Sequence, residues 1–208
     1  TTKQRTHRCS ECLPHTPNLP TKDFMILPIY AYGMPVLRKK AEDITPEYEG
    51  LSTLLENMFE TMYDSSGIGL AAPQIGLPIR LFIVDGSDIE DDPSTKDFKK
   101  IFINAQILEE FDTAWEYEEG CLSIPFVRAN VKRNAKVTIQ YLDENFVQKT
   151  ETYEGMAARI IQHEYDHIEG ILFTDRIHPL KRNMLKKKLN NISLGLVNAP
   201  YKMKFPKK

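Results

Sequence analysis

The stretch EGMAARIIQHEYDHIEG, residues 154–170, decides how this chain is read. Met156, Ile160, His163 and His167 fall at i, i+4, i+7 and i+11, so a helix puts all four on one face. The spacing predicts a helix over about 154–169, closed by Gly170 as the residue just past its end. His163 and His167 stand one turn apart, roughly 5–6 Å between β-carbons, and can converge on one ion. Glu164 lies about 100° round the helix from His163, where it can reach a ligand of that ion without binding it. The same residues also read as two chance histidines on a surface helix. Against that, they extend an inward-facing apolar stripe, where imidazoles without partners are costly.

A catalytic site of this kind needs a third protein ligand and an open position for water. Outside the first 24 residues the remaining histidine is His178, just before Pro179, which reads as a loop residue. Cys121 in EEGCLSIP is the better third ligand, with Gly120 allowing close backbone approach and the Leu-Ser-Ile-Pro that follows ending a strand. An inert buried thiol is the alternative for Cys121. SSGIGLAAPQIG, residues 65–76, carries three glycines and two alanines around Pro73-Gln74. It is expected to form a close-approach loop with available backbone groups rather than core, with Gln74 as a donor that does not compete for the ion.

Around these segments the chain reads as α+β. Leu51, Leu54, Leu55, Met58, Phe59 and Met62 make one apolar stripe, which predicts a helix over 48–63. LFIVDG (81–86), IFINAQIL (101–108) and KVTIQYLD (136–143) are rich in β-branched and aromatic residues and predict strands. Asp143-Glu144-Asn145 reads as a hairpin turn into FVQKTETY, and another helix is expected after Pro179 through MLKKKL. Helices set apart from a run of strands imply mostly antiparallel sheets packed around a central metal-binding helix.

Bulk properties exclude more than they specify. The chain has 208 residues, 41% hydrophobic, with a formal net charge of −2, which suits one soluble domain and gives no reason to expect DNA or a membrane as partner. Residues 1–24 carry three prolines and five threonines with almost no apolar periodicity. They read as an appended or disordered leader, or as a transit peptide, with Met25 as the native start. Cys9 and Cys12, with His7 and His15 nearby, lack a spaced second half for a zinc site. Three cysteines in this arrangement are not a disulfide framework, which points to a reducing, cytoplasmic compartment. Nine Lys/Arg and no acid lie in 181–208, read either as a solvated surface or as a contact for RNA such as the ribosome's.

Taken together, GIGLAAPQ (67–74), EGCLS (119–123) and QHEYDH (162–167) resemble the three motifs of the peptide deformylase family, intact and in order. The likeness spans about 25–180, a catalytic domain between the leader and a basic C-terminal helix or tail, 181–208. The resemblance implies hydrolysis of the formyl group from N-formylmethionyl nascent chains, releasing formate, with metal-bound hydroxide as nucleophile. Cys121, His163 and His167 would hold one divalent ion, typically Fe(II), with zinc, nickel or cobalt able to replace it. Glu164 would be general base and acid, and Gln74 with the Leu122 backbone N–H would stabilise the oxyanion. The substrate would add as a strand beside Ile68, Gly69 and Gly120, its methionine near Met156, Ile160, Ile68 and Tyr117, with Glu119 paired to Arg133 in support. A metalloprotease would use the same helix but has no need of Cys121 and Gln74. An inactive relative acting as a binding module has no need to keep Glu164.

Overall fold

The computed structural model describes residues 24–89 and 92–207. In chain order the elements are β1 (Ile29–Tyr30), α1 (Leu51–Asp64), β2 (Gly69–Ala71), β3 (Leu81–Asp85), β4 (Lys99–Phe111), β5 (Trp115–Cys121), β6 (Ile124–Arg133), β7 (Lys136–Leu142), β8 (Gln148–Glu154), α2 (Gly155–Ile168), α3 (Phe173–Arg176), α4 (Pro179–Ser193) and β9 (Met203–Lys204), with short 3-10 turns between some of them.

One sheet runs β2-β3-β4-β7-β8, and every neighbouring pair in it is antiparallel. Strand β3 is buried on both faces because side chains alternate across it. Phe82 and Val84 join Phe102, Val137, Ile139 and the α2 residues Ala157, Ile160 and Ile161. Leu81 and Ile83 join Leu55, Met58 and Met62 of α1 on the other side. The sheet is therefore sandwiched between α2 and α1. The β5–β6 hairpin forms a second sheet and packs, through Ile124, Val127, Ala129 and Val131, on Leu172, Phe173, Leu189 and Ile192. The architecture is α+β with mostly antiparallel sheets around α2, as the patterning predicts.

The expected helices and strands form, with ends moved by a few residues. Helix α1 starts at Leu51, not at 48, because Gly50 adopts φ 74° and turns the chain into it. Gly170 follows α2 at φ 75°, in its expected place. One expectation fails. Residues 65–76 do contribute core: Leu70, Ala71 and Ala72 are fully buried, as strand β2 and a tight 3-10 turn. The Leu-Ser-Ile-Pro segment closes β5 but also opens β6, which begins at Ile124. The turn beyond β7 extends to Phe146, at φ 57°. His178 caps α4, its side chain accepting from Leu180 N. Residues 181–207 are not detached from the fold: α4 contains the first of them, and β9 pairs in parallel with β1. Cys9, Cys12, His7 and His15 lie outside the described residues.

Candidate active site

Helix α2 is buried along most of its length although it carries Arg159, Gln162, His163, Glu164, Asp166 and His167. Buried polar groups need partners, so each of these can be traced. Gln162 donates to Asn134 O and Ala158 O, both at 3.0 Å. Arg159 donates to Glu119 Oε1 at 2.7 Å and to Trp115 O at 2.7 Å, and stacks over the Trp115 ring at 4.1 Å. Asp166 accepts from Arg133 Nη1 at 2.8 Å and from Arg176 Nε at 2.5 Å. Glu164 Oε2, His167 Nδ1 and Arg159 Nε remain buried with no hydrogen-bond partner among the described residues. The first two belong to the region where the sequence suggests chemistry.

Cys121, at the end of β5, comes against this helix. Its Sγ lies 3.3 Å from His167 Nε2, and ligand atoms of Cys121, His163 and His167 all fall within 4.8 Å of one another. The two imidazole rings stand 5.2 Å apart and nearly perpendicular, at 79°. One sulfur and two imidazole nitrogens this close together form a donor set that suits a borderline or soft divalent ion. The group could hold a metal.

Glu119 stands behind this set. Its Oε2 bonds His163 Nδ1 at 2.9 Å, which leaves Nε2 facing the sulfur. Arg133 grips the same carboxylate with Nε at 2.7 Å and Nη2 at 2.9 Å. Burial works against the charge on Glu119, but the bonds from His163 and Arg133 hold its carboxyl well below the usual range. Burial opposes protonation of His163 too, yet Cys121 and Glu119 raise its imidazole to about 10. The neighbouring His167 is held low by burial and by the charge on His163. Glu164 is pushed up to about 7 by burial, despite the pull of His163 and Arg133. A carboxyl poised there can take and return a proton near neutral pH.

Gln74 approaches from the tight turn after β2. Ala71 N–H donates to its Oε1 at 2.8 Å, which fixes the amide so that Nε2 points at Cys121 Sγ (3.5 Å) and Ser123 Oγ (3.4 Å). A cavity of about 760 Å³ opens over these groups. Its lining includes Gln74, Cys121, Leu122, His163 and Glu164, and also the expected substrate residues Ile68, Gly69, Tyr117, Gly120, Met156 and Ile160. Ile68 and Tyr117 are exposed at its rim, whereas Met156 and Ile160 are nearly buried in its wall. Gly69 lies on β2, an outer strand of the five-stranded sheet, so backbone groups there border the cavity.

Sequence reasoning missed Arg159 and Asp166. The signal was present in both: an arginine inside an apolar helical run and an aspartate beside a candidate ligand histidine each demand a buried partner. Tyr201 and Pro200 also line the cavity and carried no local signal.

The comparisons agree on one family. The model named Polypeptide deformylase matches residues 26–183. The chain is 55% identical over 190 residues to the peptide deformylase of Christiangramia forsetii, covering 88% of this chain and 97% of that protein. It is also 55% identical to that of Flavobacterium psychrophilum, covering 88% of this chain and all (100%) of that protein. Among solved structures, peptide deformylase from Plasmodium falciparum superposes with a TM-score of 0.72 at 34% identity, over 79% of this chain and 94% of that one. A peptide deformylase from Legionella pneumophila gives 0.72 at 38% identity, over 83% and 98%.

Proposed function

We propose, on the premise that this chain belongs to the polypeptide deformylase family, that Cys121, His163 and His167 hold one divalent metal ion and that Glu164 moves the protons of the reaction beside it. The overall activity follows from that membership: the chain is a peptide deformylase, a hydrolase that removes the N-formyl group from new polypeptides. The family is metal-dependent, and the sulfur–imidazole cluster suits such an ion. The observation that carries the assignment of roles is the bare Oε2 of Glu164, buried within the cavity wall beside that cluster.

When bound, the ion supplies Lewis acidity that brings a water molecule's pKa toward neutrality. Glu164 accepts the proton of the attacking water and later returns it to the departing amine. As charge gathers on the formyl oxygen, Gln74 Nε2 and the Leu122 backbone N–H donate to it. Glu119 keeps His163 turned toward the ion, and Arg133 keeps Glu119 in place. The formylated peptide lies extended along Ile68 and Gly69 and past Gly120, pairing through its backbone, which tolerates many sequences. Its methionine side chain packs on Met156 and Ile160, with Ile68 and Tyr117 at the rim.

Fe(II) is the physiological ion in this reading, with zinc, nickel or cobalt able to substitute, since thiolate and imidazole ligands accept all four. An accessible thiolate ligand fits a reducing, cytoplasmic setting. No described helix is long and apolar enough to cross a membrane. The exposed Lys181, Arg182, Lys186, Lys187 and Lys188 on α4 suit a contact with ribosomal RNA. Salt-dependent co-sedimentation with ribosomes tests that contact.

The central test pairs elemental analysis of anaerobically purified protein with formate release from a formyl-Met tripeptide. Parent protein is expected to carry one ion per chain and release formate, and Cys121→Ala to lose both. A Cys121→Ala protein that keeps a stoichiometric ion and the parent rate refutes the proposal.

A further inference from the structure

We propose that Tyr201 is a positioning residue for the reaction, holding the Cys121–Leu122–Ser123 turn from a C-terminal strap outside the region matched by the family model. That model ends at residue 183, yet Lys188, Pro200 and Tyr201 line the same cavity as Cys121 and Glu164. The inference rests on the metal-site assignment above.

The turn is short and joins β5 to β6, so its peptide planes have little support from a regular ladder. The register breaks between Gly120 and Cys121. Two carbonyls of the turn are tied from outside instead. Tyr201 donates its hydroxyl to Leu122 O at 2.8 Å, and Tyr32 N–H donates to Ser123 O at 2.8 Å. Those two donors belong to one clasp. Ile29 N–H donates to Lys202 O at 2.8 Å and Ala31 N–H to Lys204 O at 2.9 Å, where β1 and β9 pair. The Tyr201 ring packs in the same apolar cluster as Leu122, Leu70 and Met203, which sets where its hydroxyl can reach.

Fixing the plane after Leu122 restricts the plane before it, which carries the Leu122 N–H proposed as an oxyanion donor. It also restricts Cys121, whose sulfur must stay near His167. Loss of the hydroxyl alone should therefore disturb both the thiolate ligand and the transition state, with little effect on how substrate is bound.

The test is Tyr201→Phe in the full chain, loaded with Co(II) beside the parent, with formyl-Met peptide kinetics and the thiolate-to-cobalt charge-transfer band as readouts. The expected result is kcat lower by about five- to tenfold, the loss of one ordinary hydrogen bond, with KM within about twofold and an altered band. An unchanged kcat and band overturn the proposal. So does a rise in KM alone, which makes Tyr201 only a wall of the cavity. A parent protein with no thiolate band refutes the metal-site assignment, and the inference falls with it.

Discussion

Glu164 packs directly on the backbone of Gly69. A β-carbon on Gly69 would stand 2.4 Å from Glu164 Oε1 and 2.8 Å from its Cγ and Cδ. The close approach, rather than any backbone angle, is what requires glycine on this outer strand. Gly69→Ala is expected to displace the carboxylate and lower kcat/KM by about 10²-fold or more, as misplaced catalytic groups do. Metal content should stay at one ion per chain, because the three atoms nearest that β-carbon all belong to Glu164 and not to a proposed ligand. Elemental analysis beside steady-state kinetics checks both halves.

Glu164→Gln keeps the shape and removes the proton acceptor. Among the described residues its buried Oε2 has no partner to lose, so the fold should tolerate the change. Turnover is expected to fall by about 10²–10⁴-fold, the usual contribution of a positioned acid–base group. Retained ion and an unfolding midpoint near the parent's would assign that loss to proton transfer.

Arg133 is buried and bonded to both Glu119 and Asp166. Arg133→Ala leaves two carboxylates inside the protein with fewer partners, at an expected cost of about 3–5 kcal/mol. Through Glu119 it also frees His163, which should weaken metal affinity by about 10–100-fold. Denaturant unfolding and competition with a chelator measure the two effects separately. Full affinity in Arg133→Ala would exclude the supporting role.

Asp92 holds the start of α2 from a distant loop. Its carboxylate accepts from Met156 N at 3.0 Å and from Ser94 N at 2.8 Å, and Ser94 Oγ accepts from Ala157 N at 3.1 Å. Asp92→Ala is expected to cost about 1 kcal/mol, as for loss of a helix cap. Although partial burial opposes it, the bonds from Ser94 and Met156 hold the Asp92 carboxyl below the usual carboxylate range. A lowered pKa means the charged form stabilises the fold above about 3.8, and that this contribution is lost as pH falls through the folded-state value. The stability gap between parent and Asp92→Asn should therefore close under acid. Thermal unfolding across pH 2.5–7, an ordinary range for carboxylates, tests it.

How far the molecule could be read in advance depended on the range of the interaction. The stripes of α1 and α2 and the apolar runs of β3, β4 and β7 were legible because burial on one face imposes a period on the sequence itself. Strand β6 alternates buried and exposed side chains along its later half, yet its buried end is Arg133, a charge that breaks the apolar pattern. Strand β5 carries exposed Glu116, Tyr117 and Glu118, so its inward face hardly registers. Strands of two residues, β1 and β9, are too short to have a period at all. Residues 65–76 looked too small for a core, but small side chains pack well where a strand meets a helix carboxylate.

By itself the amino-acid order determined which chemistry was available: two imidazoles and a carboxylate on one helix, a cysteine beside a glycine, an amide after Ala-Ala-Pro. Spacing along a helix is local geometry, so His163, Glu164 and His167 were placed relative to one another without any knowledge of the fold. Only the tertiary structure decided what meets that helix. Cys121 lies 46 residues from His167, Gln74 47 from Cys121, Glu119 44 from His163 and Leu122 79 from Tyr201. Strand register and core packing bring those groups together, because the contacts between sheet, hairpin and strap have no expression in any local stretch of chain.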